Sequence, residues 1–375
     1  MTAILHEISA LRKGKALIID RKNSNRYRLV TTESDQSKTA YYFSSPIYND
    51  QTGKAVDMKF HVRDGVISMT GSNAHITIGN SIQMRNTEGS CEISLSEPAS
   101  FVSETEIVCA NKRLRPTTNG VAVLCLCSEG NGCTFSVEIS KPFLEIRAND
   151  KCFALMSEHF RPFAAFSCIG TLDAAGNVIS PAEISYQKIS DRKFTISVIP
   201  CSRSGHSVVM EANLYEPKLF QDTTVESNHA KSNNAFGGIA FIGSTKEFGE
   251  QWLYSRPDFT KIPELNDKKI LRAVLHLPKL NAAAVELTAS GVAARFCSFG
   301  STWENRISEM SAIGEPQSAD CYMDLDLMPI LTDRHGMLQR GEGFILKAKK
   351  KNAGFSVIST GDSCLFPQIL EVTYC

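Results

Sequence analysis

Between Ile270 and Leu277 the side chains alternate in direction at every step. Ile270, Arg272, Val274 and His276 fall on one side, and Leu271, Ala273, Leu275 and Leu277 on the other. A period of two is the pleat of a β-strand, and the wholly apolar side marks the face that meets a core. The run before it, Trp252 to Phe259, is short, aromatic and closed by Pro257, as a strand is. Lys261 to Lys269 lies between them, too long for a tight hairpin and rich in Pro, Asn and Asp. The two runs are therefore expected to be strands of a sandwich joined by a loop.

From Tyr27 onward nearly every apolar stretch keeps this period. Val56, Met58, Phe60 and Val62 alternate with polar residues, Asp64-Gly65 makes a turn, and Ile67 and Met69 resume the pattern. That dipeptide is a strong hairpin signal, because the tight turn needs positive φ. Ile76 and Ile78 lead through Gly79-Asn80 to Ile82 and Met84, a second hairpin of the same kind, and Cys91, Ile93 and Leu95 give another strand. Val121 to Cys127 and Phe135 to Ile139 flank Glu129-Gly130-Asn131-Gly132, which predicts a longer Gly-rich hairpin loop. Phe166 to Leu172 precedes a turn at Ala174-Ala175-Gly176-Asn177, and Phe194, Ile196 and Val198 alternate again. Strands spaced by turns at about ten residues, without strand–helix–strand units, predict an all-β chain. One amphipathic helix stands apart. Ile4, Leu5, Ile8 and Leu11 recur at helical spacing and Gly14 follows as a stop signal, which predicts a helix docked on its own domain rather than a peptide for a partner.

A chain of 375 residues is long for one β core, so two domains are expected. The composition shifts at Tyr215-Glu216-Pro217, and polar residues dominate from Gln221 to Asn234. This divides the chain into 1–216, a β-rich domain with the leading helix, and 217–375, a second β-sandwich. The second reads as short strands from Ala235 to Gly243 through to Gln368 to Tyr374, Ala293 to Phe299 among them, a pattern that suits a jelly-roll-like sandwich.

Lysine plus arginine equals aspartate plus glutamate, 40 against 40. Zero net charge argues against a general nucleic-acid binder, which needs a basic field. No run of ~18 apolar residues exists to span a membrane. No export signal is visible either, because Lys13 and Lys15 fall where its apolar core would continue. The twelve cysteines are spread out, and Cys91, Cys109, Cys152, Cys168 and Cys297 lie within apolar alternations, as reduced buried thiols do. A disulfide framework is less favoured in a chain this long without an export signal.

Neither common Gly-rich nucleotide loop occurs. Ser202-Arg203-Ser204-Gly205 approaches a nucleophile elbow but lacks the leading glycine and reads as a loop. The eight histidines have no metal-ligand spacing. Cys125, Cys127 and Cys133 form the densest thiol cluster; without a fourth ligand or a two-residue knuckle they read as buried thiols rather than a metal site. No cofactor or metal is expected.

Three surface groups remain. Asp324 and Asp326 alternate on a strand with Leu325 and Leu327 opposite. Two acids ~5–10 Å apart are what glycoside hydrolysis needs, but alternation on a half-wet strand places acids outward in any case, and that is the reading adopted. Lys347, Lys349 and Lys351 share a strand face beside Lys350. They read as an edge guarded by lysines or, more sharply, as a basic strip for an acidic polysaccharide. Trp252 and Trp303 are the only tryptophans. Trp252 is expected in the core, whereas Trp303, after Phe299-Gly300-Ser301-Thr302, is loop-like and better placed to stack on a sugar ring.

The order of several further motifs resembles the DNRLRE domain, also classed among bacterial carbohydrate-binding modules. Lys218 to Val225 looks like its opening strand, Asn233 to Gly237 its Asn–aromatic–Gly turn, and Trp252 to Phe259 the strand that carries an arginine. Ile270 to Leu277, Ser301 to Asn305, Met323 to Leu327, Gly343 to Leu346 and Pro367 to Tyr374 are similar to its later segments in the same order. The resemblance covers about two-fifths of the chain; the hexapeptide for which the family is named is absent. It implies a jelly-roll sandwich, a non-catalytic role, a bacterial source and an extracellular or cell-surface setting, with the cytoplasm as the alternative.

The expectation is therefore a two-domain all-β protein that binds carbohydrate, an acidic polysaccharide among the possibilities, and not nucleic acid. Its ligand-binding candidates are Trp303, Lys347, Lys349, Lys351, Asp324 and Asp326. The alternatives are a structural or assembly protein of a surface layer, injection apparatus or phage particle, and a hydrolase acting through Asp324 and Asp326.

Overall fold

The computed structural model describes residues 3–48, 58–69, 75–127, 131–142, 145–148, 151–157, 161–202, 207–215, 218–282, 284–339, 341–351 and 354–375. Val56, Glu129, Gly130, 203–205, Glu216 and Pro217, with the side chains of Ile4 and Leu5, lie outside these. The protein is all-β, with antiparallel strands in four sheets. No helix among the described residues is long and apolar enough to cross a membrane. The chain divides into two compact units. One comprises Met1–Tyr48, Lys218–Ala235 and Ile239–Cys375; the other comprises Asn49–Pro217 and Phe236–Gly238.

In the second of these units an eight-stranded and a nine-stranded sheet supply one core. Ile76, Phe135 and Phe194 come from the first sheet and Val123, Phe166 and Met210 from the other. Along Cys133–Ile139 the odd-numbered residues are buried, and Thr134 and Glu138 face solvent. The Asp64-Gly65 turn forms as expected, with φ of 52° and 77°, and joins Arg63 to its partner Val66. The second hairpin pairs Ile78 with Ile82. The expected hairpin before Phe135 is instead a crossover. Gly120–Leu126 pairs with Lys112–Pro116 and Ser207–Leu214, while Cys133–Ile139 pairs with Ser90–Ser94 and Lys193–Pro200 in the other sheet. Gly132 is needed for close approach: a Cβ there would lie 2.1 Å from the Val198 carbonyl oxygen.

In the first unit a six-stranded sheet runs in the order Arg28–Thr32, Lys38–Phe43, Ile369–Tyr374, Ile270–Pro278, Tyr322–Asp326 and Gln317–Ser318. A seven-stranded sheet runs Glu309–Gly314, Leu287–Val292, Phe344–Ala348, Gly249–Pro257, Ile239–Thr245 and Phe355–Ser359, with Phe220–Glu226 alongside Gly249–Pro257. Tyr42, Leu275 and Leu325 of the first sheet share one core with Leu253, Phe344 and Leu346 of the second. The division at 216 drawn from composition differs from these units in Phe236–Gly238 and in the first 48 residues. Their two strands join the last strand of the chain, where the Thr39 and Thr373 hydroxyls lie 3.1 Å apart across 334 positions. No local pattern reports a pairing over that separation.

The strands within Trp252 to Phe259 and Ile270 to Leu277 belong to the seven-stranded and the six-stranded sheet respectively. The loop between them contains two short 3₁₀ turns, and its Phe259, Ile262 and Leu265 reach the core. The alternation of Ile270–Pro278 holds from Ala273 onward but fails at its start. The register with the last strand shifts between Ile270 and Arg272, so Ile270 is buried and Leu271 is 46% exposed. A bulge sets two residues opposite one and reverses the faces beyond it. Ala293 to Phe299 is bend and turn, not strand. Glu309–Gly314 is a strand whose residues are nearly all exposed, which leaves no apolar alternation to read. The helix spans Ala3–Leu11, and Ile8 and Leu11 pack with Leu29, Tyr41, Phe43 and Ile369 on the outer face of the six-stranded sheet. It ends in two left-handed residues, Lys13 (φ 50°) and Gly14 (φ 77°). The first is strained by about 1 kcal/mol or more, since it carries a Cβ.

Candidate functional site

Strand parity builds the outer face of the seven-stranded sheet. Leu253 and Leu346 are paired and face the core, so their neighbours Tyr254 and Ile345, also paired, face outward. Tyr254, Ile345, Val292, Phe296 and Val225 form a second apolar cluster there, with Trp252, Trp303 and Ile307 against its rim. Trp252 is thus not in the main core but half-buried on the outside, because its neighbour Leu253 takes the inner position. The two tryptophan rings lie 5.1 Å apart at 57°. The Arg306 guanidinium sits 4.4 Å from the Trp303 ring centre and 5.6 Å from that of Trp252, and the Lys347 amine lies 5.7 Å from Trp252. Trp252 Nε1 donates to Glu250 Oε1 at 2.9 Å.

The loop that carries Trp303 is pinned by side chains. Tyr254 donates its hydroxyl to the Ile307 carbonyl at 2.7 Å, and burial pushes that phenol up to about 12. Asn233 Nδ2 donates to the carbonyls of Ser298 and Ser301 at 2.6 and 2.7 Å, and Asn305 Oδ1 accepts from the Thr302 amide at 2.7 Å. Such a loop presents its aromatic ring with little ordering left to do on binding.

The lysine group is only partly assembled. Lys347 projects on this outer side, against Trp252, and pairs with Glu309, whereas Lys349, one residue past the strand, pairs with Glu315 at 2.8 Å and Glu286 at 4.0 Å. Phe344–Ala348 is hydrogen-bonded on both sides, so the expectation of a lysine-guarded edge is corrected. The strand stops at Ala348, and Lys351 lies in a turn beyond it, not on the strand face.

Asp324 and Asp326 occur on the other sheet. They face outward as alternation predicts, but they take separate partners. His276 Nδ1 lies 2.7 Å from Asp324 Oδ1 and its Nε2 3.2 Å from Glu371 Oε2, and Arg272 pairs with the same glutamate. Asp326 Oδ1 accepts from the Met328 amide at 2.9 Å, at the start of the short helix Met328–Leu331. The His276 side chain is 3% exposed and both ring nitrogens face carboxylates, so no ring atom is left for a substrate proton.

Beside this network lies a cleft of about 500 Å³, which local sequence patterns do not reveal. Its lining comes from the helix end, the turn between the first two strands, the second strand Lys38–Phe43, Ile270–Pro278 and the last strand. Arg12 fixes its floor, with two nitrogens 2.6 and 3.0 Å from the Glu33 oxygens and further bonds to Thr31 and Tyr41. This guanidinium holds the Glu33 carboxyl below the usual carboxylate range.

Cys125 and Cys133 are buried and hydrogen-bonded to each other, and burial pushes Cys91 and Cys168 up to about 12. Cys297, expected inside, is exposed because its segment is a turn rather than a strand. No family model matches this chain, and no curated protein matches it.

Proposed function

We propose that this is a non-catalytic binding protein and that its unit containing 218–235 and 239–375 is a jelly-roll-like sandwich of the DNRLRE kind that recognises carbohydrate. The observation that carries the reading is the meeting of the chain's only two tryptophans on the outside of one sheet, 5.1 Å apart and flanked by Arg306 and Lys347. A sugar offers an apolar face of C–H groups and a rim of hydroxyls. The half-buried rings suit the first, and the guanidinium, Glu250 and Glu309 suit the second. Aromatic contacts contribute about 0.5–1.5 kcal/mol each beyond the area they bury, so two rings alone fall short of the roughly 4 kcal/mol of millimolar affinity and the buried ring area and rim hydrogen bonds must supply the rest. The pairing of Lys347 and Lys349 with glutamates favours a neutral glycan at this face. The non-catalytic reading draws support from Asp324 and Asp326, which are engaged by His276 and a helix start respectively. A bacterial cell-surface or secreted setting follows from the family resemblance.

A glycan array followed by calorimetry tests this. A retained neutral glycan whose binding is lost in Trp303→Ala and weakened in Arg306→Ala supports it; no glycan retained at about millimolar concentration sinks it. An assembly role is favoured by one feature. Ser100–Ser103, at the end of the nine-stranded sheet, is exposed along its whole length, with Phe101 and Val102 outward. An open edge of this kind is a template for another strand. Light scattering that showed large regular oligomers, disrupted by Val102→Lys, would move the conclusion there.

A further inference from the structure

We propose that the cleft on the outer face of the six-stranded sheet is a second binding site, one that takes an acidic sugar with its carboxylate toward Lys13, Lys15 and Arg272. The inference concerns a different site from the tryptophan face and does not depend on it.

Its size fits first. About 500 Å³ is within the usual range for small-ligand clefts and far larger than one ion requires. The charges come next. Arg12 is committed to Glu33 through two short contacts, and Glu371 is committed to Arg272 and His276. Asp35 is folded into its own turn, accepting from the amide and hydroxyl of Ser37. That leaves Lys13 and Lys15, which are exposed and make no ion pair among the described residues. Arg272 is 51% exposed, and its five-donor fork exceeds what one carboxylate accepts. The surplus at this rim is positive, in a chain whose total charge is zero.

The floor distinguishes a sugar from a bare anion. The part-exposed Thr373 presents its hydroxyl at the floor, and the buried Thr39 and Tyr41 behind it hold that layer in place through the Thr39–Thr373 contact and the bond from Arg12 to Tyr41. Hydroxyls that both donate and accept match the hydroxyls of a pyranose ring. One rim residue is also conformationally costly. Lys13 holds φ at 50°, where glycine would be relaxed, yet it carries one of the two unpaired amines.

Calorimetry on the full chain at low salt, with a trigalacturonate, a neutral galactose trisaccharide and inorganic sulfate as probes, tests the site. The uronide is expected to bind, and Lys13→Gly and Lys15→Ala are each expected to weaken it about three- to tenfold. Lys13→Gly should at the same time raise the melting temperature by about 2 °C, because it relieves the left-handed strain, so its weaker binding cannot come from misfolding. Trp303→Ala should leave uronide binding unchanged, which separates this site from the tryptophan face. Three results would overturn the proposal: no uronide binding, binding untouched by both lysine substitutions, or sulfate and neutral trisaccharide binding as tightly as the uronide.

Discussion

The two outer faces in the unit that holds both the first and the last strands differ more than their inner faces do. Inside, Leu253 and Phe344 meet Leu275 and Leu325 as any two half-apolar sheets would. Outside, the seven-stranded sheet carries aromatic residues under a pinned loop, whereas the six-stranded sheet carries a helix, a chain of ion pairs and a cleft. Alternation dictates that one side of each strand be apolar. It leaves the other side free, and the two sheets have used that freedom differently.

The inner–outer contrast should appear in stability. Phe344→Ala opens the shared core and is expected to cost about 3–5 kcal/mol in urea denaturation. Trp303→Ala, outside and half-exposed, should cost only about 1 kcal/mol. Equal losses would mean that the outer aromatic cluster is a core in its own right. On the other sheet, His276→Ala leaves the largely buried Glu371 with Arg272 as its remaining charged partner, and about 2–3 kcal/mol is expected by the same measurement. A neutral result would show that the ion-pair chain contributes nothing.

Glu7, on the helix that lies over that sheet, gives a pH test. Burial pushes its carboxyl up to about 7 from 4.5, so the native state binds a proton that the unfolded chain has released. Stability should be full below about pH 4.5 and fall as pH rises to about 7, then level off. Glu7→Gln should abolish that slope and be the more stable variant above pH 7, by about 2 kcal/mol after allowance for partial exposure. Melting curves from pH 4 to 8 check it; an unchanged slope would place the group in water.

What could be read in advance follows from the range of each interaction. Asp64-Gly65 and the period of Phe135 to Ile139 are local and were legible, as was the loop between Trp252 to Phe259 and Ile270 to Leu277, though not its change of sheets. The bulge at Ile270 and the crossover before Cys133 were not, since each depends on where a distant strand lies. Trp303 and Lys347 were identifiable by residue type and position, but the pairing of Lys347 with Glu309 required knowing which strands are neighbours. The cleft escaped altogether, because Arg12, Tyr41, Arg272 and Glu371 come together only when the two ends of the chain meet in one sheet.

That meeting also sets an order of events during synthesis. Ile369–Tyr374 lies between Lys38–Phe43 and Ile270–Pro278, so neither has its common neighbour until the ribosome has passed it. At roughly 5–20 residues per second, the early hairpin waits for tens of seconds. Both sheets of the intervening unit use strands that end by Leu214 and can be complete long before then. A nascent chain stalled short of the final strand would thus carry an unclosed sheet edge at its beginning, and its leading helix would have only part of the surface it rests on.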